Sequence, residues 1–335
     1  MKKIRIKKNK YVEFFELPSG HYYCLNPLNR EFTVVNRKLK LLVNKLVSWS
    51  ELEEILTPLR KSSCGKLLRE KIKELLEKNI LIRESEKEKE NLPADFVIVG
   101  VTNDFSKLSL EVFSILKHCS TIVTLNNLYK GYLSRINSKI VDLSEVFHLE
   151  DSSAYQKDPC LRVAERYMKI AAKLKDCVFV TENHPTVGES IPFFIYKIAQ
   201  FRKKTVQIYE SLSFLDSFFA GLPFDPLDNG LTIVRANLLS GINSSNFPLL
   251  ICLIGYEVMG PKWNTKKEKR EIFSQSLSNI KKELLRIGYA PNHKCSFFSQ
   301  NNRTTIDLSV KDLEKCCDYY VGKGISLFVP PKKGD

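Results

Sequence analysis

Val178-Phe-Val-Thr-Glu-Asn-His-Pro-Thr-Val187, the apolar segment Ile191–Phe201, Val206-Gln-Ile-Tyr209 and Glu210-Ser-Leu-Ser-Phe-Leu-Asp-Ser-Phe-Phe-Ala-Gly-Leu-Pro-Phe-Asp-Pro226 decide how this chain is built. Val178–Val180 is β-branched and aromatic, the mark of a short buried strand, and it runs into a polar loop carrying Asn183-His184-Pro185. Ile191–Phe201 is apolar at helical spacing, and Val206–Tyr209 returns as the next strand. A helix then spans Ser213 to Gly221, with Ser211 or Ser213 placed to cap it. Strand, loop, helix, strand, loop, helix predicts a mostly parallel sheet, whose ligands gather at the carboxyl ends of the strands.

Composition narrows the class. A chain of 335 residues with 43% hydrophobic content is globular and long enough for two or three domains. No apolar run reaches membrane-spanning length, and Met1-Lys-Lys-Ile-Arg-Ile-Lys-Lys8 has no apolar segment after it to make a signal peptide. Nine cysteines, an odd number without any Cys-x-x-Cys pair, then point to reduced thiols in a cytoplasmic protein. Cys316-Cys317 lies far from histidine, so no metal is expected. The net charge of +14 raises the question of nucleic acid. The lysines are spread along the chain and interleaved with glutamate, as in Glu84–Glu90, which disfavours it.

Ahead of the sheet lies a smaller unit. Tyr11–Glu16, Tyr22–Asn26 and Glu31–Val35 are strand candidates separated by turns, and helices follow at Arg37–Leu46, Ser50–Leu59 and Lys66–Lys78. Asn36 is placed to cap the first helix, and Ser50-Glu-Leu-Glu53 has capping-box spacing. Leu68, Ile72, Leu75 and Leu76 share one face of the third helix. Glu84-Ser-Glu-Lys-Glu-Lys-Glu-Asn-Leu-Pro93 reads as a solvated linker, giving domains at 1–83, 94–226 and 227–335.

The residues Gly20-His-Tyr-Tyr-Cys-Leu-Asn-Pro27, Arg30-Glu-Phe-Thr-Val-Val-Asn36, Leu52-Glu-Glu-Ile55 and Leu75-Leu-Glu-Lys-Asn-Ile-Leu81 resemble the PqqD-like winged-helix domain that recognises leader peptides in ribosomal-peptide biosynthesis. The resemblance implies a β3α3 recognition element in which a peptide adds a strand beside Glu31–Val35 and packs on the third helix. Phe32, Val34, Leu68, Ile72 and Leu75 would then contact it. A winged-helix DNA binder is the alternative, disfavoured because the third helix carries as much glutamate as lysine.

From Ala94 the chain alternates again. Phe96-Val-Ile-Val-Gly100 and Thr121–Leu125 are strands, the latter ending at Asn126, and helices span Leu108–Lys117 and Leu161–Leu174. Beyond Pro226 the pattern turns to α+β, with strands at Leu231–Val234, Leu249–Gly255, Lys294–Phe298 and Ile325–Val329 around a helix Lys267–Ile287.

Val97-Ile-Val-Gly100, His184-Pro185 with Val187, Ser213 with Asp216, Phe219-Ala220, Leu222-Pro-Phe-Asp-Pro226, Gly324-Ile-Ser326 and Phe328-Val-Pro-Pro331 together resemble the tetrapyrrole-methylase superfamily, and within it the borosin-type enzymes that N-methylate peptide backbones. The resemblance implies a two-lobed fold, a parallel α/β lobe plus an α+β lobe, that binds S-adenosylmethionine between the lobes and works as a homodimer. The cofactor would meet Gly100, Asn126, Asn183, His184, Pro185, Thr186, Val187, Ser213, Phe214, Leu253, Gly324, Ile325 and Ser326. The chain departs from the family pattern at several of these positions. Gly100-Val-Thr replaces Gly-x-Gly, Glu182-Asn183 stands where Tyr-Gly is usual, Thr186 replaces a Gly, and Leu253 replaces a Gln. Where the family carries a catalytic Arg and Tyr, this chain has Gln156 and Cys160, leaving Tyr155, Lys157 and Arg162 nearby as the catalytic candidates. Only Lys332-Lys-Gly-Asp335 follows the final Pro-Pro, so a precursor peptide is expected as a separate chain, its leader captured by the amino-terminal element. The competing reading is a degenerate methylase fold kept as a peptide-binding scaffold.

Overall fold

Two adjacent strands, Phe96–Val101 and Cys177–Glu182, set the architecture, and both carry apolar residues at successive positions. In the computed structural model, which describes the chain apart from residues 1–3, 58–62, 103–106, 126, 138, 149–157, 222–224, 244–246, 254–265, 300–303, 319–324 and 333–335, the chain divides into units 1–211 and 212–335.

The first unit opens with β1 (Arg5–Lys8), β2 (Glu13–Glu16), β3 (Tyr22–Asn26), β4 (Glu31–Val35), α1 (Arg37–Lys45), β5 (Ser50–Glu51), α2 (Leu52–Leu56), α3 (Ser63–Glu77) and β6 (Leu81–Arg83). β2, β3 and β4 form an antiparallel meander, and β1 lies between β5 and β6 in a second small sheet. β1 carries only Ile6 into the core, which is why a strand of three cations and one apolar residue escapes a hydrophobicity reading. Asn36 caps α1 as expected, its side chain accepting the Leu39 N–H at 2.9 Å. Ser50 does not cap a helix. It pairs with Ile6 in the β1–β5 ladder instead.

The same unit continues as β7 (Phe96–Val101), α4 (Leu110–His118), β8 (Thr121–Thr124), α5 (Asn127–Ile136), β9 (Ile140–Asp142), α6 (Ser144–His148), α7 (Pro159–Ala171), β10 (Cys177–Glu182), α8 (Ile191–Phe201) and β11 (Val206–Tyr209). These five strands form a wholly parallel sheet in the order β11-β7-β10-β8-β9. One face packs on α7 and α8 through Phe179, Tyr167 and Ile195; the other packs on α4 through Val97, Ile115 and Val178. Covering both faces explains why β7 and β10 are apolar at successive positions. Tyr167 is fully buried, and its hydroxyl accepts the Val97 N–H at 3.1 Å and lies 2.8 Å from the Val97 carbonyl, clamping α7 to β7.

The stretch expected as a linker is ordered. Glu84–Glu90 forms a kinked 3-10 helix, Arg5 pairs with Glu84 at 3.0 Å, and the Leu92 N–H donates to Asp176 at 2.9 Å. The amino-terminal module is thereby held on the parallel sheet's layer. Tyr11 is fully buried, its carbonyl accepts the Ser114 hydroxyl, and Lys10 pairs with Asp176. Glu13 receives Lys117 at 2.7 Å and His118 at 2.5 Å, and Arg30 reaches Glu111 at 3.0 Å. Burial opposes ionisation of Glu13, but the hydrogen bonds from His118 and Lys117 outweigh it and lower its pKa to about 2.

The second unit contains α9 (Phe214–Gly221), α10 (Pro226–Asn229), β12 (Thr232–Arg235), β13 (Leu249–Cys252), α11 (Lys266–Arg286), β14 (Lys294–Ser299), β15 (Thr304–Ser309) and β16 (Ile325–Val329). The sheet order is β12-β13-β16-β14-β15, parallel only between β12 and β13. This is the mixed α+β pattern expected beyond Pro226. Leu277, Ile280 and Leu284 of α11 pack on Leu249, Ile251, Phe297 and Leu327. Phe218 of α9 fits edge-on to Phe298 with ring centres 5.8 Å apart.

Two measurements test this framework. Tyr167→Phe leaves the buried Val97 N–H without its partner and should destabilise the fold by about 1–3 kcal/mol, read as a lower urea midpoint at unchanged slope. Glu13 has a folded pKa below its ordinary 4.5, so its contribution is complete above that pH and is lost as the pH falls towards 2. In Glu13→Gln, the stability gap to the parent chain should close across that window; a gap independent of pH would refute the assignment.

Candidate functional site at the carboxyl ends of the parallel strands

The connections from β7 and β10 leave in opposite directions across the sheet. β7 leads through α4 to β8 on one side, and β10 leads through α8 to β11 on the other. Such a reversal opens a crevice at the carboxyl ends of the two strands, where open parallel sheets take their ligands.

Gly100 stands at that crevice, and three segments close on it. A Cβ built at Gly100 would lie 2.5 Å from the Asn183 carbonyl oxygen, 2.8 Å from Pro185 Cδ and 2.8 Å from Ser211 Oγ. Only a residue without a side chain allows the loops after β10 and β11 to approach so closely. Asn183 turns the chain in the left-handed region at φ 60°, and its N–H donates to the Val101 carbonyl at 2.6 Å. Asparagine tolerates that conformation better than most residues with a Cβ.

The loop is then fixed from within. The Thr186 N–H donates to His184 Nδ1 at 3.3 Å, with the Thr186 hydroxyl 3.1 Å from the same nitrogen. With Nδ1 occupied as an acceptor, Nε2 is the ring nitrogen left to donate. The Val187 N–H closes a turn onto the His184 carbonyl at 3.1 Å. Pro185 is buried and Thr186 exposed. Beside them Thr181, which pairs with Gly100 in the sheet, buries a hydroxyl that finds no hydrogen-bond partner among the described residues.

Gly100, Asn183, His184, Pro185, Thr186 and Val187 are therefore brought to one edge of the parallel sheet. Thr181 and Ser211 belong to the same edge and were not singled out. Thr181 is adjacent to the motif and could have been found by strand register; Ser211 was weighed only as a helix cap.

The remaining candidates fall elsewhere or carry other duties. Asn126, Tyr155, Lys157 and Gly324 lie outside the described residues. Arg162 sits in the first turn of α7 with Nε 3.5 Å from the Val146 carbonyl. In the second unit, Ser213 is a capping residue: its N–H and hydroxyl both donate to Asp216, at 2.6 and 2.8 Å. Phe214 and Leu253 are buried at 7% exposure each, and Ser326 is buried in β16 beside Ile325. In the amino-terminal module Phe32 and Val34 are 50% and 45% exposed on β4, whereas Ile72 and Leu75 are buried in the module's own core and Leu68 packs against it.

Burial pushes the thiols of Cys24, Cys119, Cys177 and Cys252 up to about 12, so these are packing residues and not nucleophiles at neutral pH. No metal-holding group of His, Cys, Asp and Glu occurs among the described residues. None of the described helices is long and apolar enough to cross a membrane.

Comparison with solved structures places this architecture. A uroporphyrin-III C-methyltransferase from Thermus thermophilus is similar with a TM-score of 0.50 at 11% identity, covering 70% of this chain and 94% of that one. The cobalamin biosynthetic enzyme cobalt precorrin-4 methyltransferase has a TM-score of 0.49 at 10% identity, covering 70% and 95%. A Thermus thermophilus uroporphyrin-III C-methyltransferase complexed with S-adenyl homocysteine has 0.48 at 13%, covering 70% and 92%. At these identities the likeness concerns the fold, and it rests on the first of the three. The chain has the tetrapyrrole-methylase-like fold. No family model and no curated protein matches it in sequence.

The Gly100 contact is directly testable. Gly100→Ala forces the Asn183 carbonyl, Pro185 and Ser211 apart, and should cost roughly 1–3 kcal/mol of stability as an overpacked site. Amide hydrogen exchange in residues 182–188 should rise with it; an unperturbed loop would show that the approach is not needed.

Proposed function

We infer that this chain is an S-adenosylmethionine-dependent methyltransferase, and that its substrate is a separate ribosomally made peptide whose leader is held by the amino-terminal module. The observation that carries the reading is the convergence of Gly100, Asn183–Val187 and Ser211 at the reversal of strand order, in a fold shared with a methyltransferase. The group fits this edge. Thr181 buries a hydroxyl without a partner among the described residues, and His184 holds a ring N–H donor fixed by Thr186. Gly100, Thr181, Asn183 and His184 would hold the cofactor, which supplies an electrophilic methyl group on a sulfonium.

The chain's own contribution is positional. Methylating a backbone amide requires a weak nucleophile to approach in line, and fixed orientation can contribute about 7–11 kcal/mol. A peptide also explains why an edge strand with exposed Phe32 and Val34 is built onto the same unit as the site. A tetrapyrrole substrate leaves that strand without a role. The reading includes a homodimer, and a cytoplasmic setting in keeping with the free thiols among the described residues.

Calorimetric titration with S-adenosylmethionine and S-adenosylhomocysteine tests the first half. Saturable micromolar binding, weakened at least tenfold by Thr181→Val or His184→Ala with the fold intact, is the expected result. A folded chain that binds neither is a peptide-binding scaffold and not a methyltransferase.

A further inference from the structure

The helices on one face of the parallel sheet carry a surface that the fold itself does not use. α7 and α8 lie side by side there, and between Pro159 and Thr205 every exposed charged side chain is a lysine or an arginine. The acids of the same stretch, Glu165, Asp176, Glu182 and Glu189, are all partly withdrawn from solvent. The sequence interleaves the two signs, as in Glu165-Arg166, and folding separates them. Arg166, Lys169 and Lys173 recur at helical spacing, so they form one stripe along the outside of α7 and into the turn that ends it. Neither these nor Arg202 and Lys203 after α8 have an ion pair among the described residues, whereas Lys204 pairs with Asp95 at 2.9 Å.

Aromatic rings stand among these charges. α8 turns Ile191, Ile195 and Ala199 into the core, yet Phe193, Tyr196 and Phe201 are exposed on its outer side, Phe201 at 89%. Exposed rings on a helix whose other side already fills the core mark a surface that meets a partner. Lys197 Nζ lies 5.5 Å over the Phe193 ring. Phe201 ends the helix in a fixed turn: Lys203 is left-handed at φ 54°, and the Lys203 and Lys204 N–H groups donate to the Gln200 and Ala199 carbonyls at 3.1 and 2.9 Å. That turn holds the Phe201 ring and its neighbouring cations out together.

Charge and apolarity together name the occupant. Unpaired cations call for an anionic partner, and a two-fold dimer through this face would set the same cations against each other. Bare phenyl rings call for an apolar layer directly beneath that negative charge. A bilayer containing anionic lipid offers both, phosphate outside and acyl chain within. We propose that the α7–α8 face docks this protein peripherally on such a membrane, with Phe193 and Phe201 entering the boundary between headgroups and acyl chains and the flanking lysines and arginines meeting phosphates. Lys173 and Phe201 stand where α7 and α8 lead into β10 and β11, the amino edge of the sheet and the opposite end from Gly100. Docking by this end leaves the carboxyl edge open, and the proposal does not depend on what binds there.

The test is sedimentation of the full chain with vesicles of phosphatidylcholine, with and without phosphatidylglycerol. Binding should require the anionic lipid and weaken as salt is raised. The double variant Lys169→Gln, Lys173→Gln should bind roughly twentyfold more weakly, about fivefold for each cation lost. Phe193→Ser with Phe201→Ser should lose about tenfold or more by giving up the inserted rings. In Phe201→Trp, emission relative to the parent chain should shift to the blue on vesicle binding and be quenched by brominated lipid. A chain that ignores anionic vesicles at low salt, or that binds neutral ones equally well, would overturn the proposal, as would a tryptophan that brominated lipid does not quench. A single-stranded RNA that is bound through Lys169 and Lys173 while vesicles are not would overturn it too, and give the face to nucleic acid. All four substituted positions are exposed and far from Gly100, so S-adenosylmethionine titration should be unchanged in every variant, and the two readings fail separately.

Discussion

The structure depends on one close approach, the seating of the β10 and β11 loops against the backbone of Gly100. A parallel sheet can place loops from three strands at one edge only if their connections run to different sides, which the order β11-β7-β10-β8-β9 achieves at β7 and β10. The apolar strands supply the stiffness. Val97 through Val101 and Cys177 through Val180 are buried on both faces, so the edge they end at is held by the core and not by the loops themselves. The loops add only short-range order, through Asn183 in its left-handed turn and the Thr186–His184 pair. An edge of this kind costs little to organise, because its loop residues are neighbours of residues held fast in the core.

The amino-terminal module extends the same logic. Its docking buries Tyr11 fully and surrounds it with polar contacts, Ser114 to the Tyr11 carbonyl, Lys117 and His118 to Glu13, and Lys10 to Asp176. Exposed ion pairs contribute little, and Arg30–Glu111 is half exposed on the arginine side. The buried tyrosine and the half-buried Glu13 carry the attachment, and the ion pairs fix its register. A module on a flexible tether samples many positions, whereas one docked by such contacts keeps a fixed direction and distance to the sheet it packs on.

Much of this was legible in the residues, for reasons that differ by element. Val206–Tyr209, Ile191–Phe201 and the three meander strands are apolar at the period of their own structure, and nothing competes with them. Asn36 capped its helix because an asparagine before an amphipathic run has few better uses. β1 was not legible, because Arg5-Ile-Lys-Lys8 earns its place through one inward side chain and pairing with β5 and β6, both distant in sequence. β15 failed similarly: Thr304-Thr-Ile-Asp-Leu-Ser309 is a mostly polar edge strand completed by β14. Glu84–Pro93 reads as a linker by composition, yet it is pinned by Arg5 and Asp176, partners that local sequence cannot reveal. The site divides along the same line. The Asn183–Val187 loop announces itself by motif, while Thr181 and Ser211 join it only through the register of β10 and the closing of β11 on Gly100.

The third helix of the module shows how a correct pattern can mislead about function. Leu68, Ile72, Leu75 and Leu76 do form one apolar face, but that face turns into the module's core, where Ile72 and Leu75 pack with Val35 and Val43. What α3 gives to β4 is therefore its flank of Lys71, Glu74 and Lys78, already bonded to Thr33 and to the Phe32 carbonyl. The apolar periodicity that identified the helix thus describes how the module's core is held together, and the polar residues between, Lys71, Glu74 and Lys78, tie the helix to the edge of the meander.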